Sequence, residues 1–554
     1  MLKKIFSITV LIIVFTFSVS TSQYKNGVVS SANELASEVG ISVLKKGGNA
    51  IDAAVATAFA LAVVYPQAGN IGGGGFIVAK LSDGKVFSLD FREKAPMLSS
   101  KTMFLDAEGN VVPDLSTMSH LAAGVPGSVA GLLYALEKYG TMKRSEVLSY
   151  AIILAESGFR INSELAYAIN NHNNEFRQFQ GSAFIFGRRF AEGDIFVQKE
   201  LASVLKDISE FGRDGFYKGR TADLIVTEMK RGNGIISYSD LENYKPVERN
   251  VLKGTYRDFD LITMGPPSSG GICLLYLLNI LEMYDIKSLG YHNVYFVNIL
   301  SEAMKQVYAD RGEYMGDADF VSVPVSKLIS KEYARARFEN YVPGISVPSG
   351  KISRGEINVK DKPQTTHISV ADSKGNMVAL TTTLNDIFGN KIVVEGAGFL
   401  LNNEMDDFSV KPGYPNIYGL LGSDANSIEP GKRMLSSMTP TIIVKDGNPF
   451  FVIGSPGGGK IITSVLQTVV NLIDFGFDVH LAVDAPRIHH QLYPDILQFE
   501  RDRLKQELIN SLKDFGYELK QVSDFGRVEA ILFDSNGTMT GHSDRRGSGK
   551  ALGY

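Results

Sequence analysis

Lys362-Pro363-Gln364-Thr365-Thr366-His367-Ile368-Ser369-Val370-Ala371-Asp372 is the stretch on which the reading of this 554-residue chain turns. Upstream of it, Gly350 to Asp361 is polar and without apolar periodicity, the pattern of an exposed connection. From Ile368 onward the residues alternate and are β-branched, so they predict a strand. A turn at Ser373-Lys374-Gly375-Asn376 leads to a second strand, Met377 to Thr383. Thr365 therefore stands where a loop enters a sheet. A threonine hydroxyl is a weak nucleophile without a base beside it. If the chain is cut before Thr365, the new α-amine, with a pKa of about 8, supplies that base.

Working outward, Ala32 to Lys46 reads as a helix ended by Gly47-Gly48. Asn49 caps a second helix that runs to Val64, with Asp52 near its positive end. Its many alanines suit close packing. Gly69 to Gly75 breaks the chain, and Phe76 to Leu81 with Val86 to Phe91 forms a hairpin. Residues 125–345 read as mostly helical, with Val147 to Glu156, Leu201 to Phe211 and Ile272 to Tyr284 as clear examples. Strands return at Thr441 to Val444 and Phe450 to Gly454, followed by a long helix from Gly457 to Phe475. There is no internal repeat. The mixture predicts a layered α/β fold.

Net charge is −4 and no basic block stands out, which argues against nucleic acid as a partner. The N-terminus reads as a secretory signal over residues 1–22. Lys3 and Lys4 precede the apolar run Ile5 to Phe17, which is shorter than the ~20 residues of a membrane span. Export to the periplasm or beyond, with no stable membrane span, is the expectation. An uncleaved anchor is the alternative. Cys273 is the only cysteine, so no internal disulfide can form.

Several positions carry two readings. Thr365-Thr366 also suits an ordinary strand. Gly457 and Gly458 follow a strand and open a helix, so their amides could hold an oxyanion. The run Gly454 to Lys460 is close to a phosphate-binding loop, but Ile461 cannot ligand Mg²⁺ and Pro456 removes an amide donor. Asp406-Asp407 lacks the spaced oxygen ligands of a Ca²⁺ loop. His489-His490 lacks a third metal ligand. These histidines and His367 read as structural. Arg92 could make a surface ion pair with Asp90 or Glu93, and Ser436-Ser437 could form a turn.

The chain resembles the γ-glutamyltransferases (glutathione hydrolases) of the N-terminal-nucleophile hydrolase superfamily. Thr365-Thr366-His367-Ile368-Ser369-Val370 matches the family's T-T-H-x-S-V motif. The likeness continues through Gly72 to Phe76, Phe91-Arg92-Glu93, Gly265 to Gly271, Thr381 to Asn385, Leu401 to Phe408, Leu435 to Pro440 and Gly454 to Gly458. It implies a four-layer αββα sandwich built from both products of an internal cut between Gln364 and Thr365. The large part would be 23–364 and the small, catalytic part 365–554.

The resemblance also implies roles for single residues. Thr365 would be the nucleophile, supported by Thr383, with Gly457 and Gly458 as the oxyanion hole. Arg92, Ser436 and Ser437 would hold the α-carboxylate of a γ-glutamyl group. Asp407, with Asn385 and Glu404, would hold its α-ammonium. Lys411 to Gly422 would form a lid carrying Tyr418. The implied activity is hydrolysis or transfer of the γ-glutamyl group of glutathione and related amides, to water, amino acids or short peptides. No cofactor or metal is implied. The alternatives are a poly-γ-glutamate depolymerase or a β-lactam side-chain acylase of the same superfamily, and an inactive amino-acid- or peptide-binding homologue. Two stretches depart from the family pattern: Pro66 to Asn70, and Ser543-Asp544-Arg545-Arg546, where the family has Ser-Asp-Pro-Arg.

Overall fold

The computed structural model of the chain describes residues 22–352 and 365–554. Nearly all of the expected leader, most of the Gly350 to Asp361 connection, and Gln364 lie outside these residues. Two antiparallel sheets stack face to face. The first has seven strands, in the order Lys550–Gly553, Gly27–Ser31, Thr366–Asp372, Met377–Thr383, Gly74–Lys80, Val86–Asp90, Val247–Arg249. The second has six: Met539–Ser543, Glu529–Phe533, Asn448–Gly454, Thr441–Lys445, Phe259–Thr263, Leu252–Tyr256.

Strand parity sorts the apolar side chains into layers, because alternate residues face opposite sides of a sheet. Phe76, Val78, Ala371, Met377 and Ala379 meet Ile442, Val444, Val452 and Ile531 between the sheets. On the outer face of the first sheet, Ile77, Ile368, Val370, Val378 and Leu380 pack against helices that include Glu34–Lys45 and Ala50–Val64. On the outer face of the second, Ile443, Phe451 and Ile453 pack against Gly270–Leu281, Val294–Tyr314 and Lys460–Ile473. The result is the four-layer αββα sandwich.

Local chemistry explains why the elements start where they do. Asn49 and Asp52 form a reciprocal capping box on Ala50–Val64, and every residue of that helix is buried. The glycines before and in Gly74–Lys80 lie flat on the neighbouring strand. A Cβ on Gly73 would sit 2.0 Å from the Thr383 carbonyl oxygen, and one on Gly75 2.2 Å from that of Thr381.

Two expectations need correction. The helix expected from Gly457 begins at Lys460, because Gly457 and Gly458 have φ of +136° and +54° and form the turn before it. The segment expected to be mostly helical contains the hairpin Leu252–Tyr256 and Phe259–Thr263, which completes the second sheet. Gly27–Ser31 and the three strands after residue 528 are further additions.

Candidate active site

The same parity sets the direction of the Thr365 side chain. His367 pairs with Thr381 and Thr366 with Thr382. Thr365, one residue further out, shares the inter-sheet face with His367, and Thr383 shares it with Thr381. The Thr365 and Thr383 hydroxyls lie 3.5 Å apart, both buried. The Asn385 amide donates to Thr383 Oγ1 at 2.8 Å. That leaves the Thr383 proton for its other neighbours, the Thr365 hydroxyl and the Glu404 carboxylate. Asn385 adopts φ +75°, a conformation asparagine tolerates better than most residues.

One cavity brings together Arg92, Thr365, Thr383, Asn385, Glu404, Asp407, Tyr418, Ser436, Ser437 and Gly458. Arg92 is 1 % exposed, which replaces the surface ion pair with a buried one. Its Nη1 lies 2.6 Å from Glu404 and its Nη2 2.5 Å from Asp407, with Glu93 3.6 Å away. Its backbone N–H donates to Asp90. Three carboxyls thus surround one guanidinium, those of Glu93 and Glu404 fully buried and that of Asp407 12 % exposed. Burial pushes the pKa of Glu93 up to about 8, and it raises those of Glu404 and Asp407, while Arg92 pulls all three down. Acid outnumbers base here, an environment that welcomes one more cation.

Beside Arg92, which bonds the Met434 and Leu435 carbonyls, Ser436 and Ser437 are held by the Pro267–Gly271 turn. The Ser436 N–H donates to the Pro267 carbonyl, and the Ser269 N–H and hydroxyl both donate to the Ser436 carbonyl. Arg311, also buried, donates to Ser269 Oγ and Ser437 Oγ at 2.9 Å each.

Tyr418 covers the cavity. Its hydroxyl donates to the Asn385 carbonyl, and its ring leaves no room for a Cβ on Gly458, which would approach within 2.6 Å. Two acidic side chains pin the loop below it. Asp406 accepts the Ile417 N–H at 2.7 Å, and Asp407 accepts Asn416 Nδ2 at 2.8 Å. The Asn416 side-chain oxygen in turn accepts the Tyr418 and Leu420 amides at 3.0 Å. So closed, the cavity has a volume of about 20 Å³, room for one water.

Gly458 lines this cavity, whereas Gly457 lines the larger cleft outside it. Among the described residues neither glycine's amide donates to a protein acceptor. Both precede the first turn of Lys460–Ile473, where the helix dipole adds positive charge. Ile461, where a phosphate-binding loop needs a hydroxyl, is buried between the sheets.

Similarity to known proteins follows the same map. The family model described as gamma-glutamyltranspeptidase matches residues 36–554. The chain belongs to the γ-glutamyltranspeptidase family. It is 46 % identical to a glutathione hydrolase proenzyme of Escherichia coli, over 94 % of this chain and 90 % of that one. It is 43 % identical to one from Pseudomonas aeruginosa, over 100 % and 99 %. A cephalosporin acylase from Bacillus halodurans superposes with a TM-score of 0.86 at 27 % identity, covering 96 % of this chain and 97 % of that one.

The remaining histidines named from the sequence sit away from this cavity. The His367 ring is wedged against Gly454, bonded to Thr381 Oγ1 at 2.8 Å and Ser369 Oγ at 3.2 Å. Burial lowers its pKa to about 3, so the imidazole is neutral. His489 faces Thr463 and Gln491, while His490 faces Leu492 and Asp495. The adjacent pair therefore diverges.

Three residues that matter here escape a reading of motifs. Arg311 and Asn416 have been described. Asn70 donates to Thr382 Oγ1 and to the Thr383 carbonyl and accepts from Gly73 N–H, fixing the strand end behind the nucleophile. The signal for Arg311 is a charged residue on the otherwise apolar, buried face of its helix. The other two have only local polar sequence to mark them.

Proposed function

We propose that this protein is an exported proenzyme that cuts itself between Gln364 and Thr365, then hydrolyses or transfers γ-glutamyl groups, with glutathione as the reference substrate. In the cut, Thr365 Oγ attacks the Gln364 carbonyl carbon. The peptide C–N bond breaks, leaving an ester and a free Thr365 amine, and water opens the ester. The products are 23–364 and 365–554. The Lys3-Lys4 start and the Ile5 to Phe17 run support export. Among the described residues no helix is long and apolar enough to cross a membrane.

The observation that carries the reading is the Arg92–Asp407 pair inside a pocket that also holds Thr365. An α-amino acid head can insert there and exchange one ion pair for two. Its carboxylate meets Arg92, Ser436 and Ser437. Its ammonium meets Asp407, Glu404 and Asn385. The γ-carbonyl then faces Thr365 Oγ. The Thr365 amine takes the hydroxyl proton as Oγ attacks, and passes it to the leaving nitrogen as the amide C–N bond breaks. Gly457 and Gly458 amides steady the oxyanion, a contribution of roughly 3 kcal/mol per donor. Water, an amino acid or a short peptide then takes the acyl group and restores the hydroxyl.

The test is Thr365→Ala. The variant should remain one chain on a denaturing gel while the parent yields two, and it should release no p-nitroaniline from γ-glutamyl-p-nitroanilide. A pure variant that still matured without protease would overturn the mechanism.

A further inference from the structure

We propose that Arg311 is a positioning residue that makes the cavity selective for a head with a free α-carboxylate, by orienting the Ser437 hydroxyl from behind and lending it a cation. This rests on the γ-glutamyl reading above and deepens it by one residue that touches no reacting atom.

Arg311 lies near the C-terminal end of Val294–Tyr314 and is 4 % exposed. Its Nε donates to Ser269 Oγ and its Nη2 to Ser437 Oγ, at 2.9 Å each. A hydroxyl oxygen that accepts such a bond keeps its own proton for another partner. Ser269 gives that proton to the Ser436 carbonyl at 2.7 Å. Ser437 lines the cavity, and its proton goes to no protein acceptor among the described residues. Ser436 is set in the same way: its Oγ accepts the Met438 N–H at 3.1 Å, and its proton too has no protein acceptor among the described residues. Two hydroxyl donors are thus left for one ligand.

The charges favour an anion as that ligand. Arg92 is ringed by Glu93, Glu404 and Asp407. No such ion pair forms at Arg311 among the described residues. Burial lowers its pKa, and the Asp407 carboxylate acts against that shift. A buried cation without a counter-ion gains from any anion brought near it. A carboxylate accepting the Ser437 proton would stand roughly 5 Å from the guanidinium, one hydroxyl away. A neutral amide in its place would accept the same bond without the charge attraction.

The experiment compares two donors that differ only there: γ-glutamyl-p-nitroanilide, with a free α-carboxylate, and the same anilide as its α-carboxamide. The parent should favour the carboxylate in kcat/KM by more than about tenfold. Self-cleaved Arg311→Met, similar in length but uncharged, should lose about tenfold of that preference, through a raised KM for the carboxylate donor at little-changed kcat. Arg311→Lys keeps the charge but only one serine bond, and should lose about threefold. It carries the test if the methionine variant stays uncleaved, and the melting temperature checks both folds. Ser437→Ala should also lose preference, and combining it with the Arg311 substitution should cost less than the product of the separate losses. A preference within twofold of the parent, both donors impaired alike, or losses that multiply in full would overturn the role of Arg311 alone. A parent inactive on the anilide, or indifferent to the α-carboxylate, would instead overturn the γ-glutamyl reading.

Discussion

At the scale of single residues, the proposed function makes the charges of the cavity set specificity. Asp407→Asn keeps the shape of the site but removes the anion that would face a substrate ammonium. Losing one partner of a desolvated charge pair costs about 2–5 kcal/mol, so kcat/KM for γ-glutamyl-p-nitroanilide should drop by more than an order of magnitude. Arg92→Lys should be harmful too. Arg92 meets Glu404 and Asp407 with separate nitrogens, and one ammonium cannot reach both in that fork. Near-parental rates in both variants would show the site to be misplaced. His367 makes the opposite prediction. Its imidazole is neutral, and its folded pKa of about 3 lies below the ordinary value of 6.5. A base with a depressed pKa supports the fold above about pH 6.5 and loses that support as pH falls toward 3. His367→Gln should therefore flatten the acid side of the stability profile. It should leave in place the rise of activity through neutral to mildly alkaline pH, which the proposed mechanism assigns to the Thr365 amine. A displaced activity limb in a folded, cleaved His367→Gln protein would make the imidazole the base and end the amine mechanism.

At the scale of elements, the Lys411 to Gly422 loop is tied to the cavity through Asn416, which binds Asp407 with its amide nitrogen and the Tyr418 and Leu420 backbone with its oxygen. Asn416→Ala removes these contacts without touching the nucleophile. Hydrogen bonds to charged groups contribute about 1.5–3 kcal/mol, so KM should rise about tenfold or more while kcat changes little. Limited proteolysis should now cut between Lys411 and Gly422. An unchanged KM with an uncut loop would mean that Asn416 does not hold the lid. The contrast between this loop and the sheets shows what a sequence can carry. The strands Thr366–Asp372 and Met377–Thr383 were legible because parity is a local property, written into Ile368, Val370, Val378 and Leu380. The helix expected over Gly457 to Phe475 starts three residues later, at Lys460, since the positive φ of Gly457 and Gly458 is chosen by the neighbours they meet. Leu252–Tyr256 was missed because it is an edge strand with Lys253 and Thr255 exposed, so no apolar run announces it. Family motifs supplied the positions of Arg92, Asp407 and Ser436. The bonds of Arg311 to Ser437 and of Asn70 to Thr382 join parts of the chain more than a hundred residues apart, and no local pattern encodes them.

At the scale of the whole molecule, a cut before Thr365 would leave neither product with either of the two large sheets complete. In the seven-stranded sheet, Gly27–Ser31 lies between Lys550–Gly553 and Thr366–Asp372, and Met377–Thr383 pairs with Gly74–Lys80. In the six-stranded sheet, Thr441–Lys445 pairs with Phe259–Thr263. Four strand interfaces would therefore join the products. The layer between the sheets is shared as well, with Val28, Phe76, Val78 and Ile262 from one product packed against Ala371, Met377, Ile442 and Val452 from the other. Fully burying a large apolar side chain contributes about 1.5–3 kcal/mol, so separating the products exposes tens of kcal/mol of buried surface. Dissociation should then be inseparable from unfolding. The cleaved protein should elute from gel filtration as one species and split into two bands only on a denaturing gel. In urea, loss of circular dichroism and loss of association by sedimentation should share one midpoint. Residues 365–554 expressed alone should fail to give soluble, folded protein. If the two products parted at a urea concentration where each kept its native circular dichroism, the sheets would not depend on strands from both, and the shared-sheet account would fall.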